Sequence, residues 1–194
     1  MTKLAERALR QGARLRRLND DLLSVARVHT GQLPLELAAV DLGALVRDVV
    51  EQFKLQMSQA RCSVSIRDSA PVVGSWDPAR IEQIVVNLLS NAVKFGAGKP
   101  IEIFIEEEAG IARLTIKDHG IGIEPAQQGR IFERFARAVP SRYYGGLGLG
   151  LYLSRKLAEA HGGSIHVQSE PSAGATFIVE LPVAGPITTG RGEG

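Results

Sequence analysis

One stretch, Asp77 to Phe95 (DPARIEQIVVNLLSNAVKF), constrains the fold more than any other part of the chain. On a helix turning about 100° per residue, Arg80, Gln83, Asn87, Asn91 and Lys94 share one narrow stripe with Phe95 at its edge. Ile81, Ile84, Val85, Val86, Leu88, Leu89, Ala92 and Val93 fill the remaining arc. A helix apolar over most of its circumference is a buried helix, so the stripe faces something polar. That is either solvent or a bound ligand carrying oxygens and charge. Two asparagines one turn apart offer neutral carbonyl oxygens, which suit a hard cation such as Mg²⁺ where phosphates supply the negative ligands. Lys94, one turn further on, would meet a phosphate as a point charge. The helix alone does not choose between solvent and ligand; two later stretches do.

The chain has 194 residues, enough for one full core and an appendage. With 44% hydrophobic and 23% charged residues it reads as globular rather than disordered. A formal net charge of +2 is too small to argue for nucleic acid as a partner. The single Cys62 excludes a disulfide framework within the chain and suits a reducing compartment. No apolar run approaches a membrane span, and MTKLAERALR lacks the apolar core of a signal peptide. The expected location is cytoplasmic without membrane contact by this chain, which leaves room for a longer, membrane-tethered parent.

Leu4, Ala8, Gln11, Leu15, Leu18, Leu22 and Val25 alternate steps of four and three, a heptad seam interrupted by Gln11. A lone helix cannot bury such a seam. It asks for a partner helix or a second copy of the chain, which sets residues 1–31 apart as an element of their own. Leu33 to Leu37 alternates as a short strand, with Pro34 favouring an edge. Asp41 is a good N-cap for a helix expected over Leu42 to Gln59, and Asp77-Pro78 opens the central helix in the same way. Val64 and Ile66 mark a strand. IEIFIEE and ARLTIKD alternate on either side of Ala109-Gly110, as do SIHVQS and ATFIVEL later, which predicts two antiparallel pairs. The fold class is α+β: a mixed, mostly antiparallel sheet covered by helices on one face, over residues 32–183. Residues 184–194 are expected to be a flexible tail.

The first deciding stretch is Asp118-His119-Gly120-Ile121-Gly122-Ile123, directly after a strand. A carboxylate there stands beside backbone that a ligand can approach closely, and it can accept from an exocyclic amine such as the adenine 6-amino group. A plain turn uses the same residues. The second is Gly145-Gly146-Leu147-Gly148-Leu149-Gly150, running into the helix LYLSRKLAEA. Glycines feeding a helix N-terminus form an anion site, because backbone N–H groups and the helix dipole both point at negative charge. Between the two, Phe132 and Phe135 are placed to plug into the core and hinge a short lid, Ala138 to Tyr144. Arg134 or Arg137 could reach a terminal phosphate, although arginines on a solvated helix are commoner.

Asn87xxxAsn91xxLys94-Phe95, Asp118xGly120xGly122, Phe132xxPhe135 and Gly146xGly148xGly150 resemble, in order, the N, G1, F and G2 boxes of two-component sensor histidine kinases. The resemblance covers Leu33 to about Pro182, the catalytic ATP-binding domain, and Leu4 to Gly31 resembles the second helix of the dimerisation and phosphotransfer hairpin. It implies a Bergerat-type fold with ATP and Mg²⁺. Asn87 and Asn91 would hold metal and phosphate, and Lys94 the phosphates. Phe95 would lie along the nucleotide, and Asp118, with Gly120 and Gly122, would receive adenine. Gly146, Leu147, Gly148, Leu149 and Gly150 would wrap the phosphates. Asn87, Lys94 and Arg137 would act in phosphoryl transfer.

Two departures stand out. Leu147 replaces the Thr or Ser common in the family, so a hydroxyl contact to phosphate is missing. None of His29, His119, His161 and His166 has the surroundings of the family's phosphoacceptor. The expected activity is therefore transfer of the ATP γ-phosphoryl group to a histidine outside this chain, with a response regulator downstream. The alternatives are an ATPase or serine kinase of the same superfamily, or a non-catalytic nucleotide-binding and dimerisation module. The ATPase reading lacks its base, since Asn87 stands where related ATPases place Glu and an amide is a poor general base near pH 7.

Overall fold

The alternating segments pair into one sheet, and the helix opened by Asp77 lies against it. The computed structural model describes residues 34–68, 70–96, 98–136 and 148–186. Its elements run β1 (Ala38–Asp41), α1 (Leu42–Gln52), α2 (Lys54–Ala60), β2 (Val64–Asp68), β3 (Val73–Trp76), α3 (Pro78–Phe95), β4 (Ile101–Glu108) and β5 (Ile111–Asp118). They continue with α4 (Pro125–Gln128), α5 (Gly150–Ala160), β6 (Ser164–Glu170) and β7 (Gly174–Pro182). The main sheet has the order β2-β4-β5-β7-β6. Only β2 and β4 run parallel in it, and the other neighbours are antiparallel. β1 and β3 form a separate antiparallel ladder from Ala38 opposite Trp76 to Asp41 opposite Val73.

Strand alternation decides which face is covered. Ile101, Ile103 and Ile105 of β4, Leu114 and Ile116 of β5, and Phe177, Val179 and Leu181 of β7 are buried. Their neighbours Glu102, Phe104, Arg113, Thr115 and Lys117 stay half-exposed on the other face. Against the apolar face pack Val46 and Val49 of α1, Ile81, Ile84, Val85, Leu88 and Leu89 of α3, and Leu153 and Leu157 of α5. Each such side chain contributes about 1.5–3 kcal/mol by leaving water. Trp76, fully buried, donates its indole N–H to the Pro182 carbonyl at 2.8 Å and so fastens the small ladder to the end of β7.

The helix starts are as the sequence indicates. Asp41 accepts from the Ala44 N–H at 2.9 Å and Asp77 from the Arg80 N–H at 3.1 Å, with Pro78 in the first turn. Each cap is worth about 1 kcal/mol. The β4–β5 hairpin turns through Ala109 (φ 52°) and Gly110 (φ 79°), the two left-handed residues of a tight twisted turn.

Three expectations are corrected. The strand expected up to Leu37 begins instead at Ala38, because its partner β3 ends at Trp76, opposite Ala38. The Glu36 N–H goes to the Asp77 carboxylate at 3.0 Å rather than to a ladder. The helix expected over Leu42 to Gln59 breaks at Phe53, whose N–H is shared between the Val49 and Val50 carbonyls while its ring sinks into the core. Phe132 is buried as expected but Phe135 is 63% exposed. Its backbone turns left-handed (φ 62°) to donate its N–H to the Gly148 carbonyl at 3.1 Å, which carries the ring away from the core. The heptad seam of residues 4–25, the segment Ala138 to Tyr144 and most of the tail lie outside the described residues. The described chain runs on to Pro186, with Ser75 donating its N–H to the Val183 carbonyl at 2.8 Å.

Candidate functional site

The polar stripe of α3 is only partly open to solvent. Arg80, Gln83, Asn87, Asn91, Lys94 and Phe95 are all half-buried. α3 lies between α1 and α5 and touches both, and the exposed Glu82 leans away to meet the Gln52 amide of α1 at 3.5 Å. The stripe therefore turns toward the start of α5. There Asn87 donates its side-chain amide to the Gly150 carbonyl (3.2 Å) and to the Ser154 hydroxyl (3.4 Å). Both bonds use the nitrogen, so the Asn87 carbonyl oxygen takes no part in them.

The end of α3 meets the glycine turn after β5. Ile121 donates its N–H to the Phe95 carbonyl at 3.2 Å. A Cβ at Gly120 would stand 1.9 Å from that same carbonyl oxygen, so only glycine fits this approach. Lys94 holds its ammonium 4.6 Å from the centroid of the Phe95 ring, a cation–π distance. The junction places the cation, the ring and the turn at one end of the helix.

Asp118 ends β5 opposite Ile101 and is 4% exposed. One carboxylate oxygen accepts the Gly120 N–H at 2.9 Å. Burial raises its pKa above the usual carboxylate value, and the N–H groups of Gly120 and Ala175 and the neighbouring His119 partly offset that. A buried carboxylate held in place by backbone N–H groups still has lone pairs with which to accept from a ligand donor. His119 itself turns away to Glu102, at 2.8 Å. Gly122 continues the turn half-buried, and the Ile123 N–H ends on the Ser169 hydroxyl at 2.9 Å.

The start of α5 completes the site. Gly148 accepts from Phe135, and Gly150 lies against the Asn87 amide, a Cβ there falling 3.5 Å from it. Leu149 is 2% exposed, and its carbonyl accepts the Leu153 N–H at 2.8 Å. Arg134 stacks its guanidinium over the Tyr152 ring at 5.0 Å. Arg137, Gly146 and Leu147 lie outside the described residues. Ser154, Ser169 and Gln128 were missed by sequence reasoning. Ser154 had a signal, a hydroxyl on the apolar face of LYLSRKLAEA, where the structure buries it fully; the other two are joined to the site only by folding.

Among the described residues no group of three or more His, Cys, Asp or Glu is placed to hold a metal ion by itself. The donor set, neutral amide oxygens beside a lysine, fits a metal that arrives with phosphate oxygens and keeps part of its water.

The sequence profile described as "Histidine kinase-, DNA gyrase B-, and HSP90-like ATPase" matches residues 76–185. The chain is 37% identical over 174 residues to the alginate biosynthesis sensor protein KinB of Pseudomonas aeruginosa, covering 88% of this chain and 29% of that protein. It is 32% identical to the sensor histidine kinase MtrB of Mycolicibacterium paratuberculosis, covering 88% of this chain and 31% of that protein. The chain thus spans about 30% of the length of these curated relatives. Among solved structures, full-length ShkA in complex with AMPPNP superposes with a TM-score of 0.81 at 31% identity, over 91% of this chain and 37% of that one. The catalytic domain of the histidine kinase ThkA gives 0.69 at 26% identity, over 77% of this chain and 97% of that one. The chain belongs to the histidine kinase-, DNA gyrase B- and HSP90-like ATPase family, and its described part is an ATP-binding catalytic domain of the sensor histidine kinase kind.

Proposed function

We propose that the chain binds ATP with Mg²⁺ between α3, the Asp118 turn and the start of α5, and transfers the γ-phosphoryl group to a histidine on another polypeptide segment. The observation that carries this reading is the closure of the Asp118 turn onto the end of α3 through Ile121 and Phe95. It joins a base-accepting carboxylate and a phosphate-facing stripe in one site.

Asp118 accepts from the adenine 6-amino group, with Gly120 and Gly122 letting the base approach the backbone. Phe95 lies along the nucleotide. Asn87 and Asn91 present carbonyl oxygens to the metal, Asn87 oriented by its bonds to Gly150 and Ser154. Lys94 neutralises phosphate charge, and Gly146, Leu147, Gly148, Leu149 and Gly150 offer backbone N–H groups to it. Arg137 is assigned to the terminal phosphate. When bound, Mg²⁺ supplies charge neutralisation at the phosphates. Phosphoryl transfer asks the protein for position and charge rather than covalent chemistry, and these residues provide both. Hydrolysis would need a base beside attacking water. Glu82, the nearest carboxylate in sequence to Asn87, is engaged on the α1 side.

The acceptor histidine, a response regulator and a homodimer or hairpin partner for residues 1–31 complete the proposed assembly, placed in the cytoplasm. No helix among the described residues is long and apolar enough to cross a membrane. The test mixes the chain with a separately produced acceptor hairpin from a sensor kinase and γ-labelled ATP. Acid-labile, base-stable label on the hairpin supports the reading. A chain that binds ATP yet labels no acceptor hairpin, while dimerising through its N-terminus, moves the non-catalytic module ahead.

A further inference from the structure

We infer that Ser169, near the end of β6, is a positioning residue for the base-binding turn: with Gln128 it holds residues 118–123 where Asp118 meets adenine, and so sets nucleotide affinity and base selectivity. The inference rests on the ATP-site reading and adds to it a part of the chain that none of the box motifs includes.

The turn is held from two sides. On one side the Phe95 carbonyl takes the Ile121 N–H. On the other stands the β6–β7 turn, distant in sequence, and Ser169 is its hub. The Ser169 hydroxyl accepts the Ile123 N–H at 2.9 Å and donates to the Gly174 carbonyl at 2.6 Å. Gln128 of α4 bridges the same pair, its amide nitrogen donating to the Ile123 carbonyl at 3.1 Å and the Ser169 carbonyl at 2.7 Å. Ser172 adds a bond from its N–H to the Ile121 carbonyl at 2.8 Å. Gly174 lies directly on the backbone that carries the carboxylate, since a Cβ there would fall 2.0 Å from the Asp118 carbonyl oxygen. Removing the Ser169 hydroxyl leaves a half-buried donor, the Ile123 N–H, and a buried acceptor, the Gly174 carbonyl, without their partner. The turn then relaxes at its far end, while Asn87, Lys94 and Gly148 to Gly150, none of them bonded to Ser169, keep their places.

The experiment measures ATP and GTP binding to the full chain by calorimetry for the parent, Ser169→Ala and Ser169→Thr, with amide hydrogen exchange read at Ile123. Guanine does not offer the 6-amino donor, so GTP reports the phosphate half of the site. Ser169→Ala is expected to weaken ATP about tenfold, to leave GTP within about twofold, and to speed exchange at Ile123. Ser169→Thr keeps the hydroxyl and is expected to restore ATP binding to within about threefold. Equal losses of ATP and GTP would mark general damage and overturn the inference, as would unchanged ATP binding in Ser169→Ala beside a parent that binds. A folded parent that binds no ATP defeats the ATP-site reading first, and the inference with it.

Discussion

Asp118 shows what burial costs a single carboxylate. Its raised pKa means that the native state holds the proton more tightly than the unfolded chain does. Its contribution to stability is therefore full below the unfolded carboxylate pKa and lost as pH rises through the higher folded value. At neutral pH the buried charge opposes folding. Asp118→Asn keeps a carbonyl for the Gly120 N–H and removes the charge, so the unfolding midpoint at pH 7.5 is expected to rise by a few degrees. The same change is expected to weaken ATP binding by about ten- to a hundredfold, through loss of a charged hydrogen bond; thermal unfolding and calorimetry on one preparation check both. This residue was legible in the sequence because a carboxylate at a strand end followed by spaced glycines is a local pattern. Phe135 was not, since its ring is turned out by a bond to Gly148, which the sequence does not bring near. Ser169 and Gln128 were invisible for the same reason.

At the scale of elements, α3 was readable in full: periodicity, cap and proline are all written within Asp77 to Phe95. What the sequence did not show is how α3 is locked at its start. His161, which caps α5 and is fully buried, accepts the Asp77 N–H on Nε2 at 3.1 Å and donates from Nδ1 to the Leu157 carbonyl at 2.7 Å. That pattern requires the neutral ring, and burial lowers its pKa, while the Leu157 carbonyl and the Asp77 charge oppose the shift and Arg80 adds to it. Its contribution is thus present above the unfolded value, about 6.5, and lost as pH falls through the lower folded value. Urea midpoints are expected to drop between pH 7 and 5, and His161→Asn to flatten that drop while lowering stability at pH 8 by about 1–3 kcal/mol. The β4–β5 hairpin offers a gain instead. Ala109 sits left-handed, where Asn is better tolerated, so Ala109→Asn is expected to add about 1 kcal/mol, read from the same urea midpoints. The short β1 could not be placed from alternation because its register belongs to β3.

Across the whole molecule, the layered fold followed from binary pattern alone, since one face of every central strand is apolar. The open face is kept polar by cross-strand pairs, Arg113 with Glu180 at 3.0 Å and Lys117 with Glu102 at 3.8 Å, and by Arg67 over the Phe104 ring at 5.5 Å. Such half-exposed pairs add little stability each. Their placement leaves the apolar face to the helices and the site to the end of the sheet where β5 and α3 finish. The residues gathered at that end were legible where they lay in the order of the boxes, and the bonds that hold them together came from folding. The decisive measurement is calorimetric titration of ATP, with and without Mg²⁺, into the parent chain, Asp118→Asn and Asn91→Ala. Binding by the parent, a tenfold or greater loss in Asp118→Asn under both conditions, and loss of only the Mg²⁺-dependent part in Asn91→Ala is the expected result. A folded parent that binds no ATP, or two variants that bind as the parent does, would contradict it.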